Sequence, residues 1–250
     1  MKKTIAFLLA LALAAAFCAC KRKPVETSDS SASGTSVTEP TTPATSETSA
    51  TTEVSETKDY DVVQRTEKSA ALDVAYGILA LGDAKTDAAL EAYADEMFAS
   101  YVPNASSLAA EGGSATYAAQ LAEIYTDEKL VSASFVGMYT ITNEDGRETR
   151  GEVYYTVNVD RASGRLLSGG DIVTDFDALA AALTDGSFKP GALRADDLAQ
   201  YRPEYDMYPY FRFDKENFYV GINFPGVTET NTEYSISRAD AADFLAEAYR

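Results

Sequence analysis

Residues 152–172, EVYYTVNVDRASGRLLSGGDI, decide how the rest of the chain is read. Val153, Tyr155, Val157 and Val159 fall on one face of an extended segment, and Tyr154, Thr156, Asn158 and Asp160 fall on the other, because side chains alternate along a strand. This pattern predicts a half-buried antiparallel strand. Asp160-Arg-Ala-Ser-Gly164 predicts a polar turn whose glycine is free to take positive φ, and Arg165-Leu-Leu leads into a second short strand. Gly169-Gly170-Asp171 then breaks the pattern ahead of a helix.

Upstream, Val131, Ala133, Phe135, Tyr139 and Ile141 alternate with Ser132, Ser134, Met138 and Thr140, and Asn143-Glu-Asp-Gly146 turns the chain back into the opening stretch. In residues 116–125, Tyr117, Leu121, Ile124 and Tyr125 suit a helix, while the turn signal Asp127-Glu128 suits a hairpin; a strand is expected, completing a meander of three. Leu72, Val74, Tyr76 and Ile78 predict a first strand over 71–81. Leu90, Tyr93, Ala94, Met97, Phe98 and Tyr101 recur at helical spacing until Pro103-Asn104 closes the run.

Downstream, Thr174 with Asp177 three residues on predicts a capped helix with the stripe Phe176, Leu179, Ala180 and Leu183, ended by Asp185-Gly186. A short helix is expected over 194–201. Phe211 and Phe213, the turn Asp214-Lys-Glu-Asn217, and Phe218, Val220, Ile222 and Phe224 predict a hairpin with one apolar face. Tyr234-Ser-Ile236 is a short last strand, and Ser237 with Asp240 is expected to cap a final helix burying Ala241, Phe244, Leu245 and Ala248. The whole is an α+β fold, an antiparallel β-meander sheet with helices packed on one side.

The N-terminal fifth of the chain is of another kind. Lys2-Lys3 and the apolar run Ile5–Phe17 form the charged and hydrophobic regions of a secretion signal. The run has 13 residues, against about 20 needed to span a bilayer. It ends in Phe17-Cys18-Ala19-Cys20, which resembles the lipobox of bacterial lipoproteins; Cys20, preceded by the small Ala19, is the expected lipidation site. The alternative is a pair of thiols that form a disulfide or leave with an ordinary signal peptide. Residues 1–20 are thus read as signal peptide and lipobox, and residues 21–58 as a disordered Ser/Thr/Pro/Glu-rich tether without an aromatic residue. Lys21-Arg22-Lys23 suits anionic headgroups or serves as a solubilising flank. The expected location is the extracytoplasmic face of a membrane, held by lipid.

Residues 59–250 form the folded part, with 33 acidic against 15 basic residues. Such a surface repels nucleic acid and steers cationic partners towards it. The chain contains no histidine, and both of its cysteines lie at or before Cys20. This excludes imidazole-dependent triads, His-ligated metal sites and thiol chemistry in the folded part, and no catalytic residue, metal or cofactor is assigned. Ser55-Glu-Thr-Lys58 spells a serine–lysine motif but lies in the tether without its companion motifs. Asp175 with Asp177, and Asp196 with Asp197, are the acid pairs that a carboxylate-dependent glycan hydrolase would require; in an acidic chain they are read as helix first turns or a solvated face. Asn143-Glu-Asp-Gly146 and Gly170-Asp171 lack the spacing of a calcium loop. Tyr201, Tyr205, Tyr208 and Tyr210, on a stretch stiffened by Pro203 and Pro209, are the candidate ligand-binding residues, with capping of the core at the sheet edge as the alternative.

The order of these elements, with Ser163-Gly164-Arg165 in the turn, Leu130-Val131-Ser132 and Tyr139 in the middle strand and Phe211-Arg-Phe213 in the later hairpin, resembles a known domain. It is the extracellular domain of the lysozyme-sensing anti-sigma factor RsiV, found also in the N-terminal region of the peptidoglycan deacetylase PdaC, and the resemblance covers residues 70–250. It implies a non-enzymatic surface domain that binds an envelope partner, lysozyme or peptidoglycan; a purely structural envelope lipoprotein is the remaining alternative. Phe224-Pro-Gly-Val-Thr-Glu-Thr-Asn-Thr232 departs from the family's loop before the last strand, so contacts made by that loop do not carry over. With only four residues before Ile5, signalling through a cytoplasmic segment is not expected, and ligand capture is the expected activity.

Overall fold

A computed structural model describes residues 59–102, 105–224 and 230–250. Cys20, the tether and the centre of the 224–232 loop lie outside the described residues. Six strands, β1 (Asp61–Lys68), β2 (Leu72–Ala80), β3 (Ser114–Thr126), β4 (Leu130–Thr142), β5 (Glu148–Asp160) and β6 (Arg165–Leu166), lie side by side in chain order. All neighbours are antiparallel except β2 and β3, which are parallel because α1 (Ala84–Tyr101) and α2 (Ala105–Ala110) intervene as a crossover. The meander β3–β4–β5 is the one the alternation predicts, and β2 lies where Leu72, Val74, Tyr76 and Ile78 place it. The edge strand β1 has no sequence signal, since almost all of its side chains face solvent.

Asp83 caps α1 by accepting from Thr86 N (2.8 Å). The helix buries Leu90 and Ala94, with Tyr93, Met97, Phe98 and Tyr101 beside them, against Tyr117, Phe135, Tyr155 and Val157 of the sheet. The opposite face of the sheet meets a second, three-stranded sheet, β7 (Tyr210–Phe213), β8 (Asn217–Phe224) and β9 (Thr230–Ser237). Here the expectation of a half-buried β5 is corrected: Val153 to Val159 are all buried, on both faces. The polar side chains that looked solvent-facing bond across the layers. Asn158 Nδ2 donates to Phe211 O (2.7 Å) and Ser132 Oγ accepts from Phe213 N (2.9 Å), so the free edge of β7 is paired by side chains of β4 and β5.

Behind the second sheet, α4 (Phe176–Asp185) buries Leu179 and Leu183 with Phe188, Phe218, Val220, Phe244 and Leu245. Its cap is Asp175, accepting from Ala178 N (2.9 Å), and not Thr174. Gly169–Ile172 is itself a helical turn, α3, held by a reciprocal Ser168–Asp171 capping box, where a break was expected. The short helix over 194–201 is reduced to α5 (Ala195–Leu198). The final helix does not form. Ser237 and Asp240 bond as a cap would, but Phe244 O accepts from Thr174 N and Ala246 N donates to Ile172 O, so the segment runs beside residues 172–174 and ends in a single 3-10 turn, Glu247–Tyr249. Ala241, Phe244 and Leu245 are buried as expected, whereas Ala248 is exposed. No helix among the described residues is long and apolar enough to cross a membrane.

Candidate binding cleft

Because β6 pairs only with Val159 and Asp160, most of the outer edge of β5 has no strand beside it. The backbone groups there find other partners. Leu167 N donates to Asn158 O (2.8 Å), Tyr93 OH to Thr156 O (3.0 Å) and Tyr101 OH to Tyr154 O (2.7 Å), while Tyr101 OH accepts from Tyr154 N (3.1 Å). Where the sheet stops, a cleft of about 430 Å³ opens. Thr156 and Asn158 come from β5, Tyr93 and Glu96 from α1, Leu166 to Gly169 and Ile172 from the β6–α3 segment, and Asp206, Tyr208, Pro209, Tyr210 and Phe211 from the approach to β7. Among the described residues no lysine or arginine lines it.

Local sequence sets each wall. Gly164 has φ 65°, the positive value its turn requires, and Thr86 Oγ1 donates to its carbonyl (3.0 Å), tying α1 to the β5–β6 turn. Asp160 closes that turn by accepting from Ser163 N and Oγ (2.8 and 2.6 Å). Arg165 forks onto Asp171 (2.7 and 3.0 Å), holding α3 in place. The arginine fork and the Ser168 backbone N–H outweigh partial burial and hold the Asp171 carboxyl down to about 2. Gly169 leaves room for Tyr208, since a Cβ there would lie 2.2 Å from the ring. Tyr208 is also edge-on to Phe176 and Phe211. Arg202 and Met207 exchange backbone hydrogen bonds (2.8 and 3.1 Å) around a turn that places Asp206 at φ 58°, in the left-handed region aspartate tolerates better than most residues.

Charge and burial act together in the cleft. Burial first, and then the Glu96 carboxylate, push the Tyr93 hydroxyl well above its ordinary value, and burial with the Asp206 carboxylate raises that of Tyr208. Both hydroxyls are therefore neutral donors at neutral pH. Asn158 is 5% exposed; its Nδ2 is used on Phe211 O, and its Oδ1 has no hydrogen-bond partner.

Of the four tyrosines singled out from the sequence, the structure brings two to the cleft. Tyr208 and Tyr210 line it, whereas Tyr201 is half-buried and accepts from Asn223 N (3.1 Å), and Tyr205 is 68% exposed on the turn beyond. Glu96, Asp206, Thr156 and Asn158 were not singled out. The acid pairs lie elsewhere: Asp175 caps α4, Asp177 is in its first turn, and Asp197 pairs with Arg194 while Asp196 is beside it in α5. At the Asn143–Gly146 turn, Asp145 bonds Arg147 through its backbone N (3.1 Å) and Nε (2.6 Å). Among the described residues no three His, Cys, Asp or Glu side chains converge as metal ligands would.

No family model matches the chain, and no curated protein matches it. Among solved structures it is similar to a DUF3298 family protein from Pseudomonas aeruginosa PAO1, with 13% identity, a TM-score of 0.48, and coverage of 76% of this chain and 95% of that one. It is also similar to a member of the same family from Bacteroides fragilis, with 15% identity, a TM-score of 0.41, and coverage of 76% and 94%.

Proposed function

We propose that the protein is a lipid-anchored binding domain on the extracytoplasmic face of a membrane, taking a cell-envelope partner, a lysozyme-like cationic protein or a peptidoglycan strand, without turning it over. The observation that carries this reading is the cleft at the unfinished edge of β5, in which neutral tyrosines, two carboxylates and an unpaired buried amide oxygen are held by a rigid framework. Rigid aromatic and polar groups are cheap to order and suit recognition. The acidic excess of residues 59–250 adds long-range attraction for cations, raising association rates by roughly 10–10³ at low salt. Titration calorimetry of the full-length protein in non-ionic detergent, against lysozyme and against purified peptidoglycan at two ionic strengths, tests it. Binding to one of them that is stronger at the lower salt is expected; no heat with either partner at the lower salt would sink the reading.

A second reading has one specific support, because Glu96 and Asp206 line the same cleft as a glycosidase pair would. Release of reducing ends from peptidoglycan, abolished by Glu96→Gln or Asp206→Asn, would establish hydrolysis. Stoichiometric binding without release would leave binding alone.

A further inference from the structure

We infer that the cleft receives a protonated amine or guanidinium, a lysine or arginine side chain of a basic polypeptide. This deepens the binding reading and rests on it. Among the described residues, every charged group lining the cleft is an acid, Glu96 from α1 and Asp206 from the approach to β7, and no basic side chain there neutralises them. Acidic surface alone is common in this chain. What distinguishes this place is Asn158, 95% removed from solvent, lining the cleft with its Oδ1 unpaired. A buried acceptor without a donor costs free energy that an incoming N–H recovers. The orientation of that amide is fixed, since Nδ2 is committed to Phe211 O at 2.7 Å, which leaves Oδ1 as its unused hydrogen-bonding atom. Tyr208 and Tyr210 add ring faces along which an alkyl stem or a guanidinium plane packs. The volume, about 430 Å³, lies within the roughly 300–1,000 Å³ of small-ligand sites and admits a single side chain with its backbone outside. A neutral sugar can donate hydroxyls to the two carboxylates but gains no charge–charge attraction from them, which a protonated amine does.

The test uses acetylated trilysine amide as probe, with acetylated triglutamine amide and chitotetraose as comparisons, titrated into the full-length protein in non-ionic detergent at low salt. Trilysine is expected to bind, to shift the side-chain amide resonance of Asn158, and to bind about tenfold more weakly to Glu96→Gln/Asp206→Asn. Both substitutions spare the framework: Glu96 is exposed on α1, and asparagine tolerates the left-handed backbone at 206. Trilysine binding within twofold of the wild type in the double variant, an unmoved Asn158 resonance, or binding of chitotetraose in preference to trilysine would overturn the inference. Lysozyme or peptidoglycan captured equally by wild type and double variant would remove the cleft's role and leave the envelope-binding reading standing. Trilysine bound in the cleft with neither envelope partner captured would do the reverse.

Discussion

Arg212, Glu233 and Tyr154 show how single residues join the two sheets. Arg212 is buried; its Nε and Nη2 donate to the two carboxylate oxygens of Glu233 (both 2.9 Å), and its guanidinium lies 3.8 Å from the Tyr219 ring centroid. Tyr154 OH, reaching across from β5, donates to the same carboxylate (2.5 Å). Burial opposes ionisation of Glu233, but the Arg212 fork and the Tyr154 hydroxyl outweigh it, so its carboxyl lies below the ordinary range. A lowered acid stabilises the fold above its unfolded value of about 4.3 and loses that contribution as pH falls through the folded value. Glu233→Gln leaves Arg212 buried beside a neutral amide. Breaking a fully buried pair costs about 3–5 kcal/mol; with 31% of the Glu233 side chain in solvent, a loss of roughly 2–4 kcal/mol is expected in urea unfolding at pH 7, shrinking towards pH 3. A loss under about 0.5 kcal/mol would show that the pair contributes nothing net and that packing and the other cross-layer hydrogen bonds join the sheets.

At the scale of elements, α1 both covers the sheet and completes its edge. Tyr93 and Tyr101, about two turns apart on the helix, put their hydroxyls where a strand beside β5 would put its peptide groups. Tyr101→Phe keeps the ring against Tyr117 and Tyr139 but strips Tyr154 N and O of their partner, at about 1–3 kcal/mol. Faster hydrogen exchange at the Tyr154 amide together with the stability loss is the expected result. Unchanged exchange would mean that burial, and not the hydroxyl, protects that amide. The same elements show what the sequence could disclose. The apolar periods of β2, β4, β5 and α1 were legible because each carries at least one face that is apolar at regular spacing. The second burial of β5 was not, since Asn158 is polar for a reason that exists only once β7 lies against it. The final helix misled because its i, i+3 spacing is also satisfied by turns, and its backbone groups went to residues 172–174, some seventy positions away. β1 has no periodicity because it has almost no buried face; Arg65, bonded to Asp95 and Glu91 of α1, holds it instead. In the cleft, Tyr208 and Tyr210 stood out by composition. Glu96 and Asp206 are ordinary acids until the fold brings them to one opening.

The whole molecule carries a heavily acidic domain behind a segment, Phe17–Cys20, that resembles a lipobox, and in the lipoprotein we propose the two features act in opposite directions at a membrane. Net negative charge in residues 59–250 repels anionic headgroups over a Debye length of about 8–10 Å at physiological salt, so the domain has no electrostatic attraction of its own to such a surface. In the proposed lipoprotein, attachment comes from the N-terminal segment, where each buried acyl methylene contributes about 0.8 kcal/mol and two chains are needed for stable anchoring. Cys20, with Ala19 before it, is the residue we propose to carry that lipid; Cys18, behind the bulky Phe17, is not. Cys20→Ala is therefore expected to move the protein from the membrane pellet to the soluble fraction, whereas Cys18→Ala leaves it in the pellet. Metabolic labelling with a radioactive fatty acid gives the direct readout. Label that persists in Cys20→Ala and disappears in Cys18→Ala would reassign the site. Label absent from both the wild type and the variants, with the protein soluble throughout, would show that the acidic domain is simply secreted and meets its partner free in solution.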